Sequence, residues 1–379
     1  MSPQQQNYAG KALIVGGGIG GMACAITLRK LGLPVDLIDI DPDWKVYGTG
    51  LTITGPTLRA FRDLRLLDAI GAAGYFSQGG RMFLFNGTPL GENIERPVEP
   101  GLPSAGGIMR PKLHQIMSGE VRRAGADVRL GLTVDRIDNR DDGASVLFSD
   151  GSTGDYAFVV GADGIYSKVR SMTSPNAVTP SYTGQVCWRV VAPRPPEMDF
   201  GEFYFGHAVT AGIVPCSQTE MYSFILEPKS DPKRVPEDKQ PAYVRALLAD
   251  FGGRMAVLRD GITAESSIVP RPFESAIQPQ PWNVGRVVLI GDAAHATTPH
   301  LASGAGMAVE DAIVLSDEIS RHGDDIPAAL AAFTERRFER CRFIVESSVS
   351  IGERQLAHAR PDEIGMLMGK AMHALAQPI

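Results

Sequence analysis

The sequence has few cysteines, no long apolar run and no excess of basic residues, and each absence excludes a class of protein. Its four cysteines are scattered over 379 residues without paired or metal-binding spacing, so we expect free thiols, a reducing compartment and no metal site. No apolar run approaches the roughly 18 residues of a membrane span, and the polar arm at residues 1–8 lacks a signal-peptide pattern. The net charge of -6 gives no basic surface for nucleic acid. We therefore expect a cytoplasmic protein that binds neither membranes nor nucleic acid.

The composition is that of a folded globular chain. Apolar residues make up 44% and charged residues 21%, which excludes a disordered chain or a coiled coil. Because domains usually hold about 100–200 residues, the length predicts two of them. No internal repeat or low-complexity segment is present.

A glycine-rich loop follows the first predicted strand, Ala12 to Val15, and opens a helix that runs to about Leu31. In a Gly-x-Gly-x-x-Gly loop the first glycine allows a tight turn, the second lets the backbone approach a pyrophosphate, and the third allows close helix packing. The helix start offers free N–H groups to phosphates. A glycine turn without a ligand is the alternative, and the loop alone does not separate NAD from FAD. The loop residues that we expect to contact a dinucleotide are Gly16, Gly18, Ile19, Gly20 and Gly21.

Three aspartates stand at the predicted ends of apolar strands. Asp39 ends the second strand, where its carboxylate can accept both hydroxyls of an adenosine ribose. Asp163 follows the strand Tyr156 to Val160, and Asp292 follows the strand Val287 to Ile290. An aspartate in the position of Asp292 can hold the ribityl chain of a flavin by accepting hydrogen bonds from its hydroxyl groups.

A second glycine-rich helix start follows at residues 303–307. Backbone N–H groups at a helix start stabilise negative charge, and reduced flavin carries such charge near N1 and O2. The residues that we expect to face the flavin are Gly304, Ala305, Gly306 and Met307.

These motifs together resemble those of the single-component (group A) FAD-dependent aromatic hydroxylases, which include p-hydroxybenzoate, salicylate, 6-hydroxynicotinate and urate hydroxylases. The resemblance covers nearly the whole chain and implies further cofactor contacts at Gly50, Arg110 and Val134. It also implies that Asp163 supports FAD and the transient nicotinamide cofactor. Many members have Gly-Gln-Gly where this chain has Ala302-Ser303-Gly304, a departure that leaves the backbone role intact.

The resemblance, together with the strand pattern, implies an α/β fold. We expect a discontinuous Rossmann-like FAD-binding domain, a mixed or antiparallel β-sheet substrate domain and C-terminal helices. The expected FAD-binding domain comprises residues 9–75, 105–180 and 276–325, the substrate domain residues 76–104 and 181–275, and the helical segment residues 326–379. In that helical segment, the arginines near residue 337 are expected to form a solvated face.

The implied reaction is hydroxylation of a small aromatic or N-heteroaromatic substrate that carries a phenol or acid group. NADH or NADPH would reduce non-covalently bound FAD, and dioxygen would then form a flavin C4a-hydroperoxide. A monomer or homodimer is expected. The alternatives are an FAD monooxygenase or reductase acting on a larger non-aromatic natural product or antibiotic, and a regulatory protein that binds the nucleotide without catalysis. The Trp-x-Trp-x-Ile signature of related halogenases is absent.

The candidate catalytic residues are Pro299, which matches the family proline beside the oxygen-reacting face of the flavin, and His300. His300 could orient the substrate or receive a proton, or it could be a simple loop contact. His295 is expected to be a packed structural residue. Strand alternation around residue 204 does not tell which face lines the pocket, and Trp188 and Arg189 could also line it. The candidate substrate residues are Tyr204, His207, Tyr222 and His300.

Overall fold

The computed structural model describes residues 10–46 and 48–379, so the predicted polar arm at residues 1–8 lies outside the described residues. The strands are β1 (Ala12–Val15), β2 (Val35–Asp39), β3 (Gly50–Thr54), β4 (Tyr75–Ser77), β5 (Gly79–Leu84), β6 (Pro89–Ile94), β7 (Ala105–Met109), β8 (Asp127–Leu130), β9 (Val134–Asn139), β10 (Ala144–Phe148), β11 (Thr153–Tyr156), β12 (Phe158–Gly161), β13 (Ser181–Pro193), β14 (Gly201–Phe205), β15 (Thr210–Pro215), β16 (Glu220–Pro228), β17 (Ile268–Ile277), β18 (Asn283–Val284) and β19 (Val287–Leu289). The helices are α1 (Ile19–Lys30), α2 (Gly55–Asp63), α3 (Leu67–Ala73), α4 (Arg110–Arg123), α5 (Lys168–Thr173), α6 (Gln240–Leu247), α7 (Gly253–Asp260), α8 (Asp292–His295), α9 (Gly304–His322), α10 (Ile326–Leu356) and α11 (Pro361–Ala376).

A six-stranded sheet in the order β18-β19-β12-β1-β2-β8 forms the nucleotide-binding half of the fold. Its strands β19, β12, β1, β2 and β8 run parallel, and β18 pairs antiparallel at one edge. All four residues of β1 and of β12 are buried, as expected for parallel strands covered on both faces. Helix α1 packs against α9 and α4. The predicted βαβ opening is therefore present.

A seven-stranded sheet in the order β17-β13-β16-β15-β14-β5-β6 forms the second half. It is mixed, because β5 pairs parallel with β14 while the other neighbours are antiparallel. The sequence prediction that the segment near residue 81 joins this sheet agrees with the pairing of β5. Helices α6 and α7 supply buried residues to a core on one face of the sheet. The exact domain boundaries stay a prediction.

Two three-stranded sheets complete the fold. Strands β9, β10 and β11 form an antiparallel meander between residues 134 and 156. Strand β7 lies between β3 and β4 in the other sheet and leads directly into α4. This second small sheet brings the loop at residues 48–49, just before β3, beside the start of α4.

The C-terminal segment is helical, as predicted, but its arginines are not a solvated face. Arg337 on α10 is only 1% exposed, and it donates to Asp311 Oδ1 at 2.8 Å and to Glu310 Oε2 at 3.0 Å. Arg340 also pairs with Glu310 and donates to the backbone oxygen of Ala374 on α11. The prediction was wrong because helical spacing does not reveal that two carboxylates on α9 face this side of α10. None of the described helices is long and apolar enough to cross a membrane.

Asp311 is the centre of this buried charge cluster. Its Oδ2 accepts the N–H of Gly291 at 2.8 Å and lies 2.5 Å from Nε2 of His295. Burial acts to raise the pKa of Asp311, but the charges of His295 and Arg337 outweigh burial and hold the pKa at about 2. Burial acts to lower the pKa of His295, and Asp311 raises it well above its usual value. The pair is therefore an imidazolium and a carboxylate at neutral pH.

Removing one charge from this cluster should be costly, because a buried carboxylate without its partner is strongly destabilising. We expect Arg337→Leu to lower the free energy of unfolding in urea by about 3–5 kcal/mol. The matched control is Arg342→Leu on the same helix, whose exposed pairs with Glu339 and Glu346 should contribute little to stability. Equal losses for the two variants would contradict a stabilising role for the cluster.

Candidate active site

The parallel strands end at one edge of the six-stranded sheet. In the register Val15 lies beside Gly161 on one side and beside Ile38 on the other, and Gly161 lies beside Leu289. The segments that follow these strands therefore meet, although those after β2, β12 and β19 are each separated from the next by more than 100 residues along the chain. Ligands of open α/β sheets bind outside the carboxyl ends of the strands. The predicted glycine loop and the three predicted aspartates all lie at this edge.

The glycine loop has the geometry that a pyrophosphate needs. Gly16 has φ of +107°, and a Cβ there would lie 2.4 Å from the backbone oxygen of Ala162. A Cβ on Gly21 would lie 1.9 Å from the backbone oxygen of Gly16, so the turn and α1 can touch only without side chains. A Cβ on Gly18 would meet nothing within 4 Å, which leaves open space beside the start of α1. Ile19 and Gly20 supply the first N–H groups of that helix. The loop therefore fits a dinucleotide phosphate.

Asp39 lies directly beside this loop. Its Oδ2 accepts the N–H of Gly17 at 2.7 Å, and its Oδ1 accepts the N–H of Asp41 at 2.8 Å. Trp44, which sequence reasoning did not select, donates its indole N–H to the Gly17 oxygen at 2.9 Å. Both the N–H and the carbonyl oxygen of Gly17 are thus held by hydrogen bonds. Each carboxylate oxygen of Asp39 keeps a lone pair for a ribose hydroxyl.

Val134 begins β9 and is fully buried. Two residues earlier, the N–H of Leu132 donates to the backbone oxygen of Asp39 at 2.9 Å. This backbone contact brings the start of β9 to the end of β2. Val134 is therefore near the expected adenosine end of the site.

Asp163 follows β12, as predicted, but its carboxylate is occupied by α5. It accepts hydrogen bonds from the hydroxyl of Ser167 at 2.5 Å and from the N–H groups of Lys168 at 2.7 Å and Val169 at 3.0 Å. Arg170 on the same helix donates to the backbone oxygen of Ala293 at 2.8 Å. Asp163 thus orders α5, and α5 in turn contacts the turn that carries Asp292.

Gly291 and Asp292 form a tight turn after β19. Gly291 has φ of +58°, a conformation that favours glycine. The side chain of Asp292 is exposed, although its neighbours Gly291 and Ala293 are buried. This enclosure raises the pKa of Asp292, while the charges of His295 and Arg110 act to lower it. A carboxylate here can accept hydroxyl hydrogen bonds from a bound flavin.

Helix α9 begins beside that turn. A Cβ on Gly291 would lie 3.2 Å from Cβ of Ala308, and a Cβ on Gly20 would lie 3.3 Å from the same atom. The first turn of α9 consists of Gly304, Ala305, Gly306 and Met307, and the N–H of Met307 is the first to bond to Ser303 within the helix. The earlier N–H groups remain available for a ligand. The buried hydroxyls of Ser303 and Thr49 also lack partners among the described residues, which suits a polar group such as a flavin edge.

The loop before β3 contacts Arg110 at the start of α4. A Cβ on Gly48 would lie 2.8 Å from Cδ of Arg110, and the N–H of Arg110 donates to the oxygen of Thr49 at 2.9 Å. Burial lowers the pKa of Arg110, and the charges of Arg189 and Arg271 act in the same direction. Arg110 is therefore a cation set inside the cleft.

Tyr222 on β16 joins the seven-stranded sheet to β3, the strand that follows this loop. A Cβ on Gly50 would lie 2.0 Å from the Tyr222 ring, and the Tyr222 hydroxyl lies 2.6 Å from Oγ1 of Thr52. Burial raises the pKa of Tyr222 to about 12, so its hydroxyl keeps its proton at neutral pH. The rings of Tyr222 and Phe203 each lie near the ring of Phe224, at 6.4 and 6.0 Å. This face of the sheet is an aromatic wall beside the loop.

Tyr204 and His207 do not lie on this wall. Tyr204 is buried in the core on the opposite face, where it stacks on Phe83 and donates to Glu202 at 2.7 Å. His207 is exposed in the turn between β14 and β15, with its ring beside Phe85. Alternation along β14 could not choose the face, and the fold turns Phe203 rather than Tyr204 toward Tyr222. We therefore remove Tyr204 and His207 from the candidate substrate residues.

Pro299 is exposed, whereas the His300 side chain is partly buried. Nδ1 of His300 lies 3.0 Å from Oγ1 of Thr298, and Nε2 lies 2.9 Å from Oε1 of Gln185. The edge of the ring packs against Phe273. Burial lowers the pKa of His300 to about 4, so the ring is neutral at pH 7. With both nitrogens occupied, His300 matches the loop contact that sequence analysis kept as its alternative to a catalytic role.

Comparisons with known proteins agree with this geometry. A family model described as an FAD-binding domain matches residues 10–348. The 2-heptyl-3-hydroxy-4(1H)-quinolone synthase of Pseudomonas aeruginosa is 33% identical over 349 residues, which are 90% of this chain and 88% of that protein. The aurachin C monooxygenase/isomerase of Stigmatella aurantiaca is 31% identical over 356 residues, or 90% of this chain and 88% of that protein.

A solved structure shares the fold. HpxO of Klebsiella pneumoniae, complexed with FAD and uric acid, superposes with a TM-score of 0.88 at 23% identity and covers 99% of this chain and 98% of its own. The expected α/β fold and the resemblance to aromatic hydroxylases are thereby confirmed. The chain belongs to the FAD-binding monooxygenases of the aromatic hydroxylase family and is an FAD-dependent monooxygenase.

Proposed function

We propose that this monooxygenase hydroxylates a small aromatic or N-heteroaromatic substrate with NAD(P)H and dioxygen. The observation that carries the proposal is the aromatic wall of Tyr222, Phe224 and Phe203. This wall adjoins strand β3 at Gly50 and Thr52. Aromatic side chains at one wall of a cleft favour a flat apolar ring. The quinolone named for the Pseudomonas relative is an N-heteroaromatic compound, which supports the same substrate class.

FAD would be held by the residues at the strand ends. The glycine loop would bind its pyrophosphate, Asp39 the adenosine ribose, and Asp292 the ribityl chain. Arg110 and the first turn of α9 would face the flavin ring and stabilise negative charge on it. When bound, FAD supplies hydride acceptance from NAD(P)H and the activation of dioxygen.

The remaining groups would position the substrate and exclude water. Tyr222 keeps its proton, so its hydroxyl can donate to an oxygen of the substrate, with the Thr52 hydroxyl beside it. Pro299 has no N–H and no polar side chain, and it would give the cleft a rigid apolar wall. Shielding of this kind protects a reactive oxygen donor from water.

His300 would act by anchoring the loop that carries Pro299. Its ring joins Thr298 in the loop to Gln185 on β13, and the Thr298 hydroxyl also lies 2.9 Å from that of Ser348 on α10. The loop is thus fixed to a strand and to a helix. His300 is a positioning residue in this proposal and is not a proton acceptor for the substrate.

The buried neutral His300 should make the protein sensitive to acid. Since its pKa falls from 6.5 to about 4 on folding, the unfolded chain binds the proton more readily between these values. Its contribution to stability is present above pH 6.5 and is lost as the pH falls toward 4. Wild-type protein should therefore lose about 2 kcal/mol more unfolding free energy between pH 7 and pH 5 than His300→Gln does.

Urea unfolding of the FAD-saturated proteins measures this difference. The control is His373→Gln on α11, because that histidine is exposed. Its pH dependence should match that of the wild type. A His300→Gln variant with the wild-type slope would show that His300 is not buried as a neutral ring.

The proposed reaction predicts that an aromatic compound stimulates NAD(P)H oxidation. Purified protein saturated with FAD is mixed with NADH or NADPH, and absorbance at 340 nm is followed with phenolic acids, N-heteroaromatic acids and 4-quinolones. At least one compound should raise the rate by about tenfold or more and give a hydroxylated product by mass spectrometry. If only larger non-aromatic compounds stimulate the rate, the substrate class is wrong. If none does, while FAD binds, a regulatory role gains support.

The choice between NADH and NADPH, a cytoplasmic location and a monomeric or dimeric state stay predictions. The four cysteines are all free, which suits a reducing compartment.

A further inference from the structure

The aromatic wall of the seven-stranded sheet also carries two arginines. Arg189 on β13 lies directly opposite Phe224 on β16, and Tyr222 pairs with Val191 two residues along β13. Residues directly opposite each other share a face, and so do residues two apart on one strand. Arg189 therefore shares the face of Tyr222 and Phe224. Its neighbour Trp188 lies on the other face, in the core beside α6.

Arg271 extends this row on the next strand. It pairs with Cys187, which lies two residues before Arg189 on β13. Diagonal neighbours across antiparallel strands lie about 7–8 Å apart, within reach of long side chains. Arg271, Arg189 and Tyr222 thus form a diagonal row over three strands. Arg271 is exposed at the outer end of this row, while Arg189 is half-buried and Tyr222 is buried.

Neither arginine has an ion pair or hydrogen bond with another described residue. The opposite face of the same sheet differs, because Arg254 there pairs with Glu202 at 3.1 Å. The charges of Arg189 and Arg271 also act on Arg110, so the three guanidinium groups are near enough to repel one another. Like charges in a partly dry cleft repel each other, and an arriving anion would relieve that repulsion.

We propose that Arg189 binds an anionic oxygen of the substrate, a carboxylate or an ionised ring hydroxyl, while the ring lies against Tyr222 and Phe224. This inference rests on the proposed function, and it names the substrate as an aromatic anion and Arg189 as the residue that selects it. A guanidinium group donates to such oxygens through two parallel N–H groups. Arg271, at the outer end of the row, attracts the same anion toward the cleft.

The position in the row favours Arg189 over the other two arginines as the binding group. Arg110 lies against Gly48 at the start of α4, on the side of the flavin loop. Arg271 is exposed, and water weakens its attraction for an anion. Arg189 alone is half-buried and directly opposite an aromatic ring of the wall.

Binding to the FAD-loaded protein tests the proposal without turnover. Flavin absorbance between 350 and 500 nm is titrated with two pairs of probes: benzoate with benzamide, and 2-naphthoate with 2-naphthamide. Wild-type protein should bind at least one anion about tenfold more tightly than its neutral amide. Arg189→Gln should abolish that preference by weakening the anion and leaving the amide unchanged. Arg189→Lys should retain part of it, and Arg271→Gln should reduce it less than Arg189→Gln does.

The control variant is Arg81→Gln on β5, whose partners Glu92 and Asp199 lie at the surface of the same sheet. It should keep the wild-type preference, and an unchanged flavin spectrum verifies folding of each variant. A wild-type protein that prefers no anion over its amide, or an Arg189→Gln variant that keeps the preference, overturns the proposal.

Pyrophosphate of the nicotinamide cofactor is the other source of anionic oxygen. It is tested by the KM for NADH in the substrate-free oxidation of NADH. If Arg189→Gln raises that KM about tenfold and leaves benzoate binding unchanged, the arginine serves the cofactor and the proposal fails. The two proposals can fail separately. If Arg189→Gln loses the preference for anions but no aromatic compound stimulates NAD(P)H oxidation, the anion site is supported and the proposed reaction is contradicted.

Discussion

The rest of the site depends on the hydrogen bonds and ion pairs that the carboxylate of Asp311 makes. It accepts the N–H of Gly291 and pairs with His295 on one side and with Arg337 on the other. These three contacts join the turn after β19, the helix α9 and the long helix α10. Because Asp311, His295 and Arg337 are all buried, removing any one of these charges leaves another without a partner in the protein interior. The cluster therefore fixes the turn that carries Asp292 and the start of α9, which are expected to hold the ribityl chain and the flavin ring.

The second constraint is the close approach of the two halves of the fold at Gly50. The Tyr222 ring occupies the space where a side chain on Gly50 would be, and its hydroxyl bonds to Thr52. This contact sets the aromatic wall directly beside β3 and the loop before it. We expect catalysis at this junction, because one half offers strand ends that suit a dinucleotide and the other offers an apolar surface that suits a ring. The anion-binding role proposed for Arg189 extends this division, since the charge lies on the same wall as the rings.

Sequence reasoning succeeded where the signal is local. A glycine loop between a strand and a helix, an aspartate at a strand end and a Gly-Asp turn each determine their own backbone, and all lie at the predicted edge. It failed where contacts are distant in the chain. Arg337 was expected in solvent because its partners Glu310 and Asp311 lie on another helix. Tyr204 stayed among the candidate substrate residues because a period of two cannot tell one face of a strand from the other. One partner of His300, Gln185, lies on distant β13, so the sequence left a catalytic role and a loop contact open, and the contacts support the anchoring role that we propose.

The most direct test of the central claim, that the strand ends and the Gly-Asp turn form the FAD site, is the affinity of the apoprotein for FAD after substitution of Asp292. FAD is titrated into apoprotein and the quenching of its fluorescence gives Kd, with Asp324→Ala, an exposed aspartate before α10, as the control. Loss of a charged acceptor for the ribityl hydroxyls should raise Kd by about 10- to 100-fold in Asp292→Ala, with no change in the control. An Asp292→Ala variant that binds FAD as tightly as the wild type would contradict the placement of the flavin at this turn.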